Sequence, residues 1–170
     1  MPVIAKAKRA ANLANPVTTA VTFKQNDDSS LNAVVRIPPD LLVSGKVFRI
    51  RASGTATTGG AYTFQPMIQV GSSTTLASNT DFMQASARSI STATRPWYIE
   101  GKFHWDSTSG RLSGDFRALN SETEDDRAVQ TTVATGQTAA SGLVFSVSAL
   151  FGTTHADNVA RLSEFVIIEE

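Results

Sequence analysis

The strongest strand signal in the chain is the stretch Trp97-Tyr98-Ile99-Glu100-Gly101-Lys102-Phe103-His104-Trp105. Its apolar residues alternate with more polar ones, and a period of two is typical of a β-strand with one buried face. Both tryptophans fall on the apolar side. The stretch therefore predicts a strand at the centre of a core, with Glu100, Lys102 and His104 on its outer side.

Further strand signals lie on both sides of this stretch. Residues 46–54 alternate in the same way and place Arg49 and Arg51 together on an outer face. Residues 106–110 are turn formers, which predict a hairpin to a strand at 112–118. Pro66 predicts an edge strand or a bulge. The remaining strands are predicted at 17–23, 32–37, 62–70, 80–84, 128–134, 143–151 and 162–168.

This density of strands predicts an all-β fold: a two-sheet antiparallel sandwich, jelly-roll-like, with a short N-terminal arm. A chain of 170 residues suits one such domain, which we place at 17–170, after a basic arm at 1–16. The 41% of hydrophobic residues argues against disorder, and no segment reaches the length of an apolar membrane span. The absence of cysteine excludes disulfides and thiolate metal sites.

The charges are balanced overall, with 15 Lys and Arg against 15 Asp and Glu, but they are unevenly distributed. Residues 1–16 carry Lys6, Lys8 and Arg9 without any carboxylate, and Pro16 separates them from the first predicted strand. We expect this arm to dock on a partner, so that its removal impairs assembly but costs folding only about 1 kcal/mol or less. A frayed terminus and a short helix within 5–14 are the alternatives.

An acidic loop is predicted between two strands, where Glu122, Glu124, Asp125 and Asp126 lie within five residues. A solvated loop is the simplest interpretation. Calcium binding is an alternative, because this ion prefers several carboxylate oxygens, although the spacing lacks the regularity of a calcium loop. A third interpretation is that this loop meets the basic arm of a neighbouring copy of the protein.

The sequence contains no motif that predicts catalysis, a metal or a cofactor. His104 and His155 have no neighbours at metal-binding spacing, and Glu100 is the one carboxylate considered for a catalytic role. Nucleic-acid binding is not expected, since three cations without an aromatic stacking motif give a small electrostatic contribution. Trp97 and Trp105 are predicted to be core residues and not sugar-stacking platforms.

The order of these features resembles small β-sandwich structural proteins of tailed bacteriophage virions, among them capsid decoration or cement proteins. The resemblance is carried by Leu42-Val43-Ser44-Gly45-Lys46-Val47-Phe48-Arg49-Ile50-Arg51-Ala52-Ser53-Gly54-Thr55, Met67-Ile68-Gln69-Val70-Gly71, Thr75-Leu76-Ala77, Trp97-Tyr98-Ile99-Glu100-Gly101 and Phe165-Val166-Ile167-Ile168-Glu169. It implies a non-enzymatic protein that is made in the host bacterial cytoplasm and binds the capsid exterior of the virion. Its implied partners are the major capsid protein and neighbouring copies of itself in a homo-oligomer, with no membrane.

Binding to a host surface glycan is the alternative function, either as a phage tail or fibre domain or as a carbohydrate-binding module. Such a protein is expected to have exposed aromatic side chains in a groove, whereas a cement protein is expected to have a flat polar contact face.

Overall fold

The structure, a computed structural model, describes residues 3–6, 13–14, 21–22, 34–71, 80–90, 92–120, 125–128, 140 and 142–170. These residues form β-strands and contain no α-helix, and a short 3-10 helix, Pro39–Leu41, joins β4 to β5. None of their helical segments has the length and hydropathy needed to cross a membrane. The strands are β1 Val3–Lys6, β2 Leu13–Ala14, β3 Val21–Thr22, β4 Val34–Ile37, β5 Val47–Thr57, β6 Tyr62–Gly71, β7 Thr80–Gln84, β8 Arg88–Ile90, β9 Arg95–Asp106, β10 Arg111–Leu119, β11 Asp125–Ala128, β12 Leu143–Phe151 and β13 Val159–Glu169.

The strands form two antiparallel sheets that pack against each other. The larger sheet has the order β1-β13-β5-β9-β10-β11, and β2 also pairs with β13. The smaller sheet has the order β3-β12-β6-β7, with β4 beside β12 and β8 beside β6. In chain order, the described strands change sheet six times: between β2 and β3, β4 and β5, β5 and β6, β8 and β9, β11 and β12, and β12 and β13. The predicted all-β, two-sheet antiparallel sandwich is therefore confirmed.

The core lies between the sheets and contains the inward residues of β9. Trp97 and Trp105 are 2% and 1% exposed, which confirms that they are core residues. Aromatic rings from the two sheets meet there: the ring centroids of Phe82 and Phe103 are 4.3 Å apart. The indole Nε1 of Trp105 donates a hydrogen bond to the carbonyl of Leu42, at 3.0 Å. This bond satisfies the polar atom of a buried ring, so the large side chain is accommodated without an unpaired donor.

Pro66 lies on an interior strand, so of the two predicted alternatives, an edge strand or a bulge, the edge strand is wrong. β6 pairs with β12 on one side and, on the other, with β8 through residues 62–64 and β7 through residues 67–70. Pro66 falls between these two segments, and its carbonyl accepts a hydrogen bond from the Ala85 amide at 3.2 Å. In a strand the N–H and the carbonyl of one residue point to the same side, so the N–H that proline lacks would also point toward Ala85. On that side no described strand pairs with β6 at this point, and the proline therefore removes no hydrogen bond between strands.

Parts of the predicted arm belong to the larger sheet. β1 pairs with residues 166–168 of β13, and β2 pairs with residues 159–160 of the same strand. The alternative of a short helix within 5–14 is therefore wrong at both ends of that range, where residues 5–6 belong to β1 and residues 13–14 form β2. The reason is that a ten-residue helix is marginal in water, whereas β13 offers an edge of backbone donors and acceptors. The predicted strands at 17–23 and 128–134 lie largely outside the described residues.

Candidate interaction surface

The larger sheet has one side turned away from the core, which we call the outer face. Alternation along β5, β9 and β10 directs every second residue outward, and several of these residues are charged, because the apolar residues between them are drawn into the core. Glu164 of β13 and Glu170, the residue that follows this strand, add two carboxylates. The charged residues in the middle of the outer face are Arg49, Arg51, Glu100, Lys102, Asp115, Arg117, Glu164 and Glu170, and Asp106, Arg111 and Arg161 lie nearer the strand ends.

A bulge in β13 places the carboxylates on this face. The pairing of β13 with β5 shifts by one residue between Leu162 and Glu164. Leu162 points into the core before the bulge, and Phe165 points into it afterwards, so Glu164 turns outward. Gly54 lies opposite Leu162 at this point, where a Cβ atom would collide with the carbonyl of Arg161. The glycine therefore allows the close approach that the bulge requires.

One row of the outer face alternates in charge across three strands. Arg51, Glu100 and Arg117 are opposite one another on β5, β9 and β10. The guanidinium of Arg117 is 3.6 Å from a carboxylate oxygen of Glu100, and Arg51 is 3.3 Å from a carboxylate oxygen of Glu164. Opposite charges at directly paired positions stabilise a sheet weakly, by about 0.2 to 1 kcal/mol, so this row mainly fixes where the guanidinium groups lie.

The next row contains two cations side by side. Arg49 is opposite Lys102, and like charges at paired positions repel. Glu170 relieves this repulsion, because its two carboxylate oxygens form ion pairs with Arg49 and Lys102 respectively. The backbone amide of Glu170 donates to the carbonyl of Val47 at 3.0 Å, which holds the carboxylate over the row. The hydrogen bond from Lys102 and, after it, the charge of Arg49 lower the pKa of the Glu170 carboxyl against the opposing effect of burial.

The cations of the outer face are more exposed than the carboxylates they pair with. The side chains of Lys102 and Arg117 are 58% and 55% exposed, whereas those of Glu170 and Glu100 are 10% and 23% exposed. The same order holds for Arg49 with Glu170 and for Arg51 with Glu164. Within each of these ion pairs the guanidinium or ammonium group is therefore the more accessible partner, and Asp115, opposite Lys102, adds an exposed carboxylate to the face.

The outer face contains an open depression. Its volume is about 610 Å³, and it is lined by Arg49, Glu100, Gly101, Lys102, Asp115, Phe116 and Arg117. Arg117 also lies over the ring of Tyr98, with its guanidinium carbon 5.8 Å from the ring centroid. Stacking and ion pairing together restrict the orientations of this arginine before a partner binds.

We predict that Glu170→Gln makes the protein less stable at neutral pH. The lowered pKa means that the folded protein favours the ionised carboxylate, a contribution present above the ordinary pKa of a glutamate and lost as the pH falls through the lowered folded-state pKa. Thermal melts from pH 7 to pH 3 should show a gap between native protein and variant that closes on acidification. Asp40→Asn, which changes an exposed carboxylate away from this face, serves as the control. A difference in melting temperature between native protein and variant that is as large at pH 3 as at pH 7 would contradict the ionic role of Glu170.

A second, smaller pocket lies where β5 ends and β13 begins, next to the loop that precedes β13. Its volume is about 210 Å³, and its lining is Thr55, Thr57, Thr94, Asp157, Val159 and Arg161. The hydroxyls of Thr57 and Thr94 are 3.0 Å apart and hydrogen-bonded. Asp157 is also near His155, with 3.6 Å between a carboxylate oxygen and Nδ1. Hydroxyls, a carboxylate and a guanidinium suit a small polar ligand.

The residues predicted to bind partners fall at the two edges of the larger sheet where the structure describes them. Lys6 is the last residue of β1 and is opposite Val166 of β13. Asp125 and Asp126 are the first two residues of β11, opposite Leu119 and Ala118 of β10, so the acidic segment is partly strand and not only loop. Lys8, Arg9, Glu122 and Glu124 lie outside the described residues, and calcium binding by the acidic segment stays a prediction. Of the described positions, Lys6 on β1 and Asp125 and Asp126 on β11 lie at opposite edges of the larger sheet.

Sequence reasoning identified only part of the outer face. The alternation predicts that Arg49, Arg51, Glu100 and Lys102 point outward, as the structure has them. The role of Glu170 was missed, because it depends on the pairing register of β13 with β5 and on the bulge. No local pattern in residues 159–170 signals either feature.

The comparisons with known proteins identify no relative: no family model, curated protein or solved structure matched this chain. The functional conclusion therefore depends on the geometry described above and on the resemblance noted in the sequence.

Proposed function

We propose that this protein is a non-enzymatic structural protein of a tailed-bacteriophage virion, a decoration or cement protein that binds the outside of the capsid. Its partners are the major capsid protein and neighbouring copies of itself. It is made in the host bacterial cytoplasm and then resides on the capsid exterior. The observation that carries the proposal is the charged outer face, on which the cation of each ion pair is more exposed than its carboxylate.

This face suits attachment to a broad protein surface. Arginine is enriched in protein interfaces, and the guanidinium groups of Arg51 and Arg117 are already oriented by Glu164, Glu100 and Tyr98. Orientation before binding reduces the entropy cost of association. The partner that fits is a capsid surface rich in carboxylates and carbonyl oxygens. Since a shell offers many equivalent sites, modest individual contacts are sufficient when copies also contact one another.

The test of this proposal is attachment to capsids of the phage that encodes the chain. We expect Arg51→Glu and Lys102→Glu each to weaken capsid binding by at least about tenfold, because a reversed charge places like charges across the interface. Arg36→Glu makes the same charge change on an exposed residue of the smaller sheet and should alter binding less than about twofold.

Cosedimentation with capsids measures the occupancy, and circular dichroism checks that each variant is folded. Binding of the native protein should also fall with added salt, since exposed charges are screened over about 8 to 10 Å at physiological ionic strength. Equal occupancy for the Arg51, Lys102 and Arg36 variants would show that the outer face is not the contact surface.

Glycan binding, as a tail or fibre domain or as a carbohydrate-binding module, has one observation in its favour. This observation is the small polar pocket at the end of β5, which lies next to His155. The ring of His155 is 5.7 Å from the ring of Tyr62, measured between centroids. The pocket is smaller than the roughly 300 to 1,000 Å³ usual for ligand sites, and both tryptophans are buried away from it. Capsid attachment is therefore the preferred function.

A further inference from the structure

The two edges of the larger sheet have complementary directions. Six strands lie on the path from β1 to β11, and each of the five neighbouring pairs is antiparallel. β1 and β11 therefore run in opposite directions. A second copy placed beside the first in the same orientation presents its β1 antiparallel to the first copy's β11, so the alternation of strand directions continues across the boundary.

The two edges also have complementary charges in the sequence. β1 ends in Lys6, whereas β11 begins with Asp125 and Asp126. Antiparallel pairing places the end of one strand beside the start of the other. In the register where both four-residue strands overlap fully, Lys6 is opposite Asp125, and Val3 is opposite Ala128. The flanking sequence has the same complementarity, since Lys8 and Arg9 follow β1 and Glu122 and Glu124 precede β11.

Both edges lack a second neighbour among the described strands. An exposed edge presents backbone donors and acceptors that favour pairing with another chain, and a charge on it normally prevents this. Opposite charges on the two edges do not prevent all pairing but select between partners. They disfavour pairing of β11 with a second β11, where acid would meet acid, and they favour pairing of β11 with β1.

We propose that copies of this protein associate head to tail, with β1 of one copy extending the larger sheet of the next at β11. The interface is heterologous, so repeated association gives a ring if the rotation between copies closes and an open chain if it does not. This proposal deepens the self-association part of the proposed function. Its test uses the isolated protein, so its failure is distinct from a failure of capsid attachment.

The absence of cysteine allows a direct cross-linking experiment. Within one chain, five strand spacings separate β1 from β11, or about 24 Å, which is far beyond the reach of a disulfide. A disulfide in the double variant Lys6→Cys/Asp125→Cys must therefore join two copies. We expect oxidation to give a ladder of dimers and larger species. The control Lys6→Cys/Ala128→Cys places the second thiol three residues out of register and should remain mostly monomeric.

Charge reversal provides a second readout that does not depend on oxidation. Lys6→Glu and Asp125→Lys should each shift the sedimentation of the protein at low salt toward the monomer. The double variant Lys6→Glu/Asp125→Lys restores opposite charges at every interface and should recover association. The proposal is overturned if the two cysteine pairs cross-link equally or not at all, or if the double reversal associates no better than the single ones while its circular dichroism is native.

Discussion

Trp105→Ala should destabilise the protein by about 3 to 5 kcal/mol, the range seen when a large aromatic side chain is removed from a packed core. The indole is 1% exposed, and its Nε1 is hydrogen-bonded to the carbonyl of Leu42. The substitution leaves a cavity between the sheets and also leaves this buried carbonyl without its partner. Denaturant melts at equilibrium measure the free energy of unfolding directly.

Two further variants separate the contributions at this position. Trp105→Phe keeps an aromatic ring but removes the hydrogen bond, so we expect a smaller loss than for alanine. His104→Ala changes the next residue along β9, which is exposed, and should stay within about 0.5 kcal/mol of the native protein. A loss below about 1 kcal/mol for Trp105→Ala would mean that the indole is not part of the core.

A chain that starts at Pro16 should lose about 2 to 5 kcal/mol of stability and should associate non-specifically. Five residue pairs join β1 and β2 to β13, and each net hydrogen bond contributes about 0.5 to 1.5 kcal/mol. Truncation also uncovers the edge of β13, a strand with the apolar run 165–168. This expectation replaces the smaller effect inferred from the sequence, because the arm supplies strands to the sheet.

Thermal melts and size-exclusion chromatography of the truncated and full chains are the measurements. The matched control is Lys6→Ala/Lys8→Ala/Arg9→Ala, which removes the charges of the arm but keeps its backbone. It should retain most of the stability while weakening association, since the pairing with β13 is made by the backbone. A truncated chain that melts within a few degrees of the full chain and stays monomeric would contradict the pairing of β1 and β2 with β13.

The alternation in the sequence was sufficient to predict most strands. The predicted strand at 143–151 coincides with β12, Leu143–Phe151, and the hairpin at 106–110 joins β9 to β10. The structure of that loop is local as well: Asp106 accepts hydrogen bonds from the Thr108 amide at 2.9 Å and from the Ser109 hydroxyl at 2.5 Å, and Gly110 has φ +63°. Such features depend on residues close together in the chain.

Features that depend on distant residues were not predictable. The position of Pro66 on an interior strand depends on the gap between β7 and β8, and the ion pairs of Glu170 depend on the register between β13 and β5. The pairing of the arm was missed because Val3–Lys6 is too short to show a period, and only the free edge of β13 selects a strand there. Of the candidate interaction surface, the sequence predicted which side chains point outward but not which of them form pairs.

The central claim is that the native protein binds the outside of the capsid, and imaging whole virions tests it most directly. Averaged electron micrographs of virions that contain the protein are compared with those of virions assembled without it. Our account predicts additional density on the outer surface of the capsid, repeated with the symmetry of the shell and connected between neighbouring copies. Density confined to the tail, or no difference between the two averages, would contradict it.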